Sequence, residues 1–287
     1  MYLFLNQKLL IKFYVIFKKG LIILFYFNFS ITSYGLFGQE TDKLKTNVVK
    51  SAFKDGEWLQ YRIHYGIFNA SYATLSLKSE KYKGIAVLHA KGYARTTGFL
   101  RFFFKLEDIY ESYFESTKIE PLKFIRDIYE GGYTKNKIIE FDHKNKLAYV
   151  ENLKNRTRSS HQIKKNTQDL ISTFYYLRNF FPETNKIKIN DNFNVYIFFD
   201  EEVYDFNLKY IGTEILETKF GKVECIKLIP IVQKGRVFNE KESIILWVSN
   251  DENRIPIKIK ANIAIGSLDC DLENFKNLNH PFKIILN

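Results

Sequence analysis

Apolar and polar side chains alternate with a period of two along stretch after stretch of this chain, a pattern that fits a half-buried sheet and little else. In the first stretch Leu59, Tyr61, Ile63 and Tyr65 share one face, while Gln60, Arg62 and His64 share the other. Gly66 to Asn69 reads as a turn, and Tyr72 to Lys78 alternates again with Ala73, Leu75 and Leu77 together, so a hairpin follows. Further strands are expected at Ile85 to Thr96, Leu100 to Ser112, Leu122 to Tyr129, Lys137 to Phe141 and Lys146 to Glu151, the last two pairing across the turn at Asp142-His143-Lys144-Asn145. Short polar connections between these strands describe a meander.

The period changes once. From about Asp169 to Phe180, Leu170, Phe174, Leu177 and Phe181 keep the spacing of one helical face, Thr167 or Asp169 stands ready as the cap, and Pro182 ends the run. The other flank carries Tyr175, Tyr176 and Arg178, so the helix is expected to pack over much of its circumference. Strands then resume at Val195 to Phe199, Tyr204 to Glu217, Lys222 to Val232, Ser243 to Ser249, Ile255 to Ile265 and Leu268 to Phe275. Pro256 belongs at an edge or a strand start, because it cannot donate to a ladder. With no repeat and no Pro, Gly or Ser-rich linker, residues 53–287 read as one mainly β domain. Its sheet is antiparallel and strongly curved, or an open barrel of lipocalin-like shape, with one central α-helix.

Residues 1–38 have the grammar of a signal peptide. Lys8, Lys12, Lys18 and Lys19 precede the apolar stretch Leu21 to Phe29, no acid occurs, and the small residues near Gly35 or Gly38 offer cleavage sites. Residues 39–52 form an extension before the domain. An uncleaved anchor is the alternative, although the apolar run is shorter than the roughly 20 residues a span needs. Export places the chain in the periplasm or on the periplasmic face of the outer membrane. It also argues against a nucleic-acid partner for a chain of net charge +11, whose densest basic stretch, Lys154, Arg156, Arg158, His161, Lys164 and Lys165, reads as a solvated connection. Cys225 and Cys270 stand in apolar strand contexts and read as free buried thiols, with a disulfide as the alternative.

Catalytic signatures are missing: no nucleophile elbow, phosphate loop, dinucleotide fingerprint or zinc-spaced histidine pair occurs. No catalytic residue, metal ligand or cofactor is assigned. Asp108 with Glu111, or Asp200 with Glu201 and Glu202, is the carboxylate pairing a hydrolase would use, but the trio reads better as a solvated turn. Aromatic and basic residues remain. Tyr65, Arg95, Phe124, Arg126, Tyr129, Tyr175 and Tyr176 either line a pocket, with Arg95 and Arg126 meeting an acidic head group, or belong to the core.

Several phrases, in order, resemble a known family. They are Phe53-Lys54-Asp55-Gly56-Glu57-Trp58-Leu59-Gln60-Tyr61, Tyr65-Gly66-Ile67-Phe68-Asn69-Ala70 and Asp108-Ile109-Tyr110-Glu111-Ser112. Then come Asp127-Ile128-Tyr129-Glu130-Gly131-Gly132-Tyr133, the helix Asp169 to Arg178, and Trp247 to Pro256. Together they look like the Domain of Unknown Function 3108 family of exported Bacteroidetes proteins. The resemblance implies an exported β protein and supplies no activity. The expected function is non-enzymatic binding or carriage of a hydrophobic or amphipathic envelope component, a lipid or similar amphiphile. The alternatives are a periplasmic assembly scaffold with an envelope protein partner and an envelope hydrolase.

Overall fold

A computed structural model describes residues 51–98, 100–231, 244–262 and 266–286; the expected signal peptide and most of the expected extension lie outside the described residues. The first half is the expected meander: β1 (Trp58–Tyr65), β2 (Phe68–Tyr82), β3 (Ile85–Thr96), β4 (Leu106–Glu115), β5 (Pro121–Glu130), β6 (Tyr133–Asp142), β7 (Leu147–Asn152) and β8 (Thr157–Gln162). The second half adds β9 (Asn192–Phe199), β10 (Glu202–Thr218), β11 (Gly221–Ile231), β12 (Ile244–Ser249), β13 (Pro256–Asn262) and β14 (Ser267–Lys276). All pairings between these strands are antiparallel. One 14-stranded sheet results, in the order β8 to β1, then β14 down to β9. The ends of the chain's two halves thus meet at the β1–β14 pair, and β8 and β9 are left as the free edges.

Two elements differ from the sequence reading. Leu100 to Phe103 is a one-turn helix, α1, and β4 starts only at Leu106, so the expected strand from Leu100 begins six residues late. Apolar side chains cluster there without alternating, which fixes no strand register. The basic stretch after Lys154 is no mere connection, since it holds β8. That strand is short, polar and exposed at every position but His161, with Arg158 projecting to solvent, which is how natural sheets protect an edge from pairing with another chain. Pro256 opens β13, the strand start expected of it.

The helix α2 (Leu170–Phe180) lies against the inner face of β3, β4 and β9. Room for it comes from Ala90, Gly92 and Ala94 on the inner phase of β3; a Cβ at Gly92 would stand 3.3 Å from Ile171 Cδ1. Asp169, rather than Thr167, is the cap: its carboxylate accepts from the backbone amides of Ile171 (2.8 Å) and Ser172 (2.7 Å), while Ser172 Oγ accepts from the Asp169 amide. Ser112 Oγ on β4 donates to the same carboxylate at 2.5 Å, which fixes the helix to the sheet. Just before the helix, Gln168 pairs in parallel with β9: its amide donates to Tyr196 O and its carbonyl accepts from the Phe198 amide, both at 2.8 Å. This short pairing covers part of the free edge of β9.

Fully buried Tyr175 packs among Phe53, Phe114 and Phe174, and Cys225 and Cys270 are buried free thiols. Burial pushes the Cys225 thiol up to about 12, so neither its position nor its acidity favours reaction. The β5–β6 turn depends on a glycine. Gly131 has φ 55°, and a Cβ there would come within 2.6 Å of the buried Phe104 ring. Gly131→Ala should lower stability by about 2–3 kcal/mol, combining left-handed backbone strain with displacement of the ring, as read from urea unfolding.

Candidate functional site

The sheet curls until β9 reaches the inner face of the strands at the opposite end, and side chains close the gap that backbone hydrogen bonds leave open. Phe198 meets Phe141 of β6 and His161 of β8, with ring centroids 5.9 and 5.8 Å apart. The β9–β10 turn then lays two carboxylates on cations of the first half. Asp200 Oδ1 accepts from Arg126 Nη1 of β5 and Lys135 Nζ of β6, each at 2.5 Å. Glu201 accepts from Lys137 Nζ at 2.5 Å and stands 3.6 Å from His161 Nε2. Contrary to the sequence reading, this turn is a clasp across the seam and not a solvated loop.

Arg126 is 1% exposed, and its guanidinium lies 4.0 Å from the centre of the Phe199 ring. Burial alone would raise the Asp200 carboxyl, but Arg126 and Lys135 outweigh it and hold the group below its usual range. Behind Arg126, on the inner faces of β4 and β5, Asp108 and Glu130 form a second acidic element. Burial, then the neighbouring Glu130 charge, pushes Asp108 up to about 8, so that carboxyl keeps its proton near neutral pH. Asp108 and Glu111 are three residues apart on β4 and point to opposite faces; Glu111 pairs outside with His89 and Lys91. The Asp108–Glu111 acid/base pairing considered from sequence therefore does not form.

Between the clasp and the sheet lies a depression of about 220 Å³, counting the open solvent above it. Its apolar wall is Phe124, Ile139, Val150, Phe198 and Phe199, and its polar side is Arg126, Lys137, Asp200 and Glu201. Of the seven residues singled out from sequence, Phe124 and Arg126 line it. Tyr175 and Tyr176 belong to the buried core around α2, Tyr65 sits half-buried at the end of β1, and Arg95 and Tyr129 are exposed on the outer face. Arg95 and Arg126 therefore do not converge. Sequence reading missed Lys135 and Lys137, whose signal was present: they occupy the phase of Ile139 and Phe141 on β6, where a buried face would ordinarily take apolar residues. Asp200 as the partner of Arg126, 74 residues away, had no local signal.

An open, curled antiparallel sheet around one internal helix, sealed by an ionic seam, defines a β-barrel-like protein. The chain belongs to the DUF3108 family of proteins of unknown function, which it matches over residues 60–273. Among solved structures it is similar to the β-barrel-like DUF1849 protein of Brucella abortus, with 8% identity and a TM-score of 0.53, covering 81% of this chain and 100% of that one. A candidate exported protein of YmcC-like fold from Bacteroides fragilis (8% identity, TM-score 0.32) and a candidate lipoprotein from Parabacteroides distasonis (11%, 0.32) each align over 80% of this chain and 100% of their own. The first similarity supports the fold; the other two are too distant in shape to bear on it. No curated protein matches the sequence.

Proposed function

We propose that this is an exported, non-enzymatic binding protein of the cell envelope whose seam pocket holds an acidic amphiphile. The anionic head group takes the place of the Asp200 and Glu201 carboxylates on Arg126, Lys135 and Lys137, and the apolar part lies along Phe124, Ile139, Val150 and Phe198. The observation that carries this reading is a set of three cations in a strand phase that should be apolar, already holding carboxylates beside an apolar wall.

Size limits the ligand. The cavity within the depression is about 10 Å³, room for about one water molecule, so an acyl chain enters only when the β9–β10 turn leaves its seat. That turn is suited to leave. Asp200 and Glu201 both adopt left-handed backbone, with φ 44° and 73°, at about 1 kcal/mol or more each.

Lys137 is a better probe than Arg126, because Arg126 is so deeply enclosed that Arg126→Ala removes a buried ion-pair partner. Lys137→Ala should weaken dodecanoate binding about tenfold or more, the value of one charge-assisted hydrogen bond, while shifting the unfolding midpoint little. Native mass spectrometry of the chain recovered from the envelope should show a co-purifying amphiphile. An apo mass together with no dodecanoate binding would favour the scaffold reading instead.

A further inference from the structure

Because every pairing in the sheet is antiparallel, the β1–β2, β3–β4, β5–β6 and β7–β8 connections all lie at one end of the barrel. The backbone joins them into a continuous rim. The Thr97 amide donates to Ala70 O, Gly131 to Lys105 O at 2.8 Å, and Leu153 to Asn136 O at 3.0 Å, so each connection touches the next. On this rim stand Ile67 and Phe102, each 88% exposed, with Phe68, Phe103, Tyr133 and Leu153 also open to solvent.

Exposed side chains of this size seldom gather without a partner. At the other end the exposed apolar residues are aliphatic: Ile85 and Ile189 sit on separate loops, and Ile284, Ile285 and Leu286 form a run beside the start of β11. The rim also carries cations. Arg101 and Lys105 both flank Glu107, Lys154 reaches Thr134 from the β7–β8 turn, and Arg156 is exposed on the same turn. Arg101 and Lys105 on the β3–β4 connection share one acid, and Lys154 and Arg156 stand on the β7–β8 turn, so this part of the rim is a basic collar. Aromatic and aliphatic side chains projecting past a basic collar match a bilayer interface, where rings enter the acyl boundary and cations meet lipid phosphates.

We infer that this end of the barrel is a membrane-docking tip, and that its partner is a bilayer surface containing anionic lipid. A point of geometry strengthens the assignment. The β9–β10 turn lies at the same end, so a docked tip brings the clasp of Asp200 and Glu201 toward the lipid surface. Docking itself stands on the rim and does not depend on what the pocket binds.

The test uses the mature chain recovered from the envelope, with its amino terminus identified by mass spectrometry so that no leader contributes. Vesicles of phosphatidylcholine with phosphatidylglycerol should sediment the protein, and added salt or omission of phosphatidylglycerol should weaken the association. Ile67→Ser with Phe102→Ser should reduce partitioning about tenfold or more, whereas Ile85→Ser with Ile189→Ser should leave it unchanged. Phe102→Trp adds a local reporter at an exposed position, and its emission should shift to the blue when vesicles are added. No sedimentation, equal losses from both serine pairs, or a Phe102→Trp emission that ignores vesicles would overturn the inference. Self-association abolished by the first serine pair without any vesicle binding would overturn it too, and would assign the rim to a second copy of this chain. These results are separable from the pocket reading, because dodecanoate binding and Lys137→Ala are measured without vesicles.

Discussion

Glu57→Ala should lower the unfolding free energy by about 3–5 kcal/mol, because it strands the Arg178 guanidinium inside the barrel. Arg178 Nη1 donates to Glu57 Oε1 at 2.6 Å and Nη2 to Oε2 at 2.8 Å, a bidentate pair with side chains 2% and 0% exposed. Two further donors are used as well: Nε donates to Asn253 O at 2.9 Å and Nη2 to Ala52 O at 3.2 Å. The rings of Phe53, Phe174 and Tyr175 stand 5.1–5.5 Å from the guanidinium carbon and exclude water. One side chain on α2 thus holds the start of β1 and the β12–β13 loop. With Glu57 gone, a charge that cannot reach solvent has lost its counter-charge. Glu57→Leu combined with Arg178→Met removes both charges, and should recover most of the loss if the damage comes from the stranded ion. Urea unfolding of the single and double variants measures this; a Glu57→Ala change below about 1 kcal/mol would mean that the pair contributes little.

That pin also shows what was legible in the sequence. Glu57, Arg178 and Asn253 come from three of the phrases by which the family is recognised, and Asp169 and Ser112 from two, so the phrases mark contacts that hold the helix in the barrel. Alternation placed thirteen of the fourteen strands, because half-buried faces write themselves into period two. It failed at β8, where neither face is buried enough to demand apolar residues. Face assignment was harder than strand assignment. On β3 the inner phase is the small set Ala90, Gly92 and Ala94, since α2 fills the space, so the larger Tyr93 and Arg95 point outward although size suggested the reverse. The seam could not be read at all, because pairing Asp200 with Arg126 requires knowing that a 14-stranded sheet curls back upon itself.

Stability should rise when the pH falls from about 8.5 to about 5, the reverse of the usual loss of carboxylate pairing in acid. Two buried carboxyls set this direction. Asp108 is pushed up to about 8, by burial and then by Glu130; Asp169 is pushed up to about 7, burial outweighing the donors from Ser112 and the helix amides. A folded value above the unfolded one means that the folded state holds the proton more tightly between the two. The stabilisation is therefore complete below about pH 4 and is lost as pH rises through 7 and 8. Each pH unit of displacement is worth about 1.4 kcal/mol, so a carboxyl held only two units above its ordinary value carries about 3 kcal/mol. The opposite trend comes from Asp200, Glu111 and Glu140, whose values are lowered and whose contributions vanish only as pH falls below the ordinary carboxylate range. Between the two trends the maximum lies near pH 5. Asp108→Asn mimics the protonated side chain, so it should match the parent near pH 5, exceed it near pH 8.5 and flatten the slope between them. Urea midpoints for both chains at the two pH values decide the matter: a parent protein that is more stable at the higher pH, or a variant with an unchanged slope, would show that Asp108 is ionised in the folded chain.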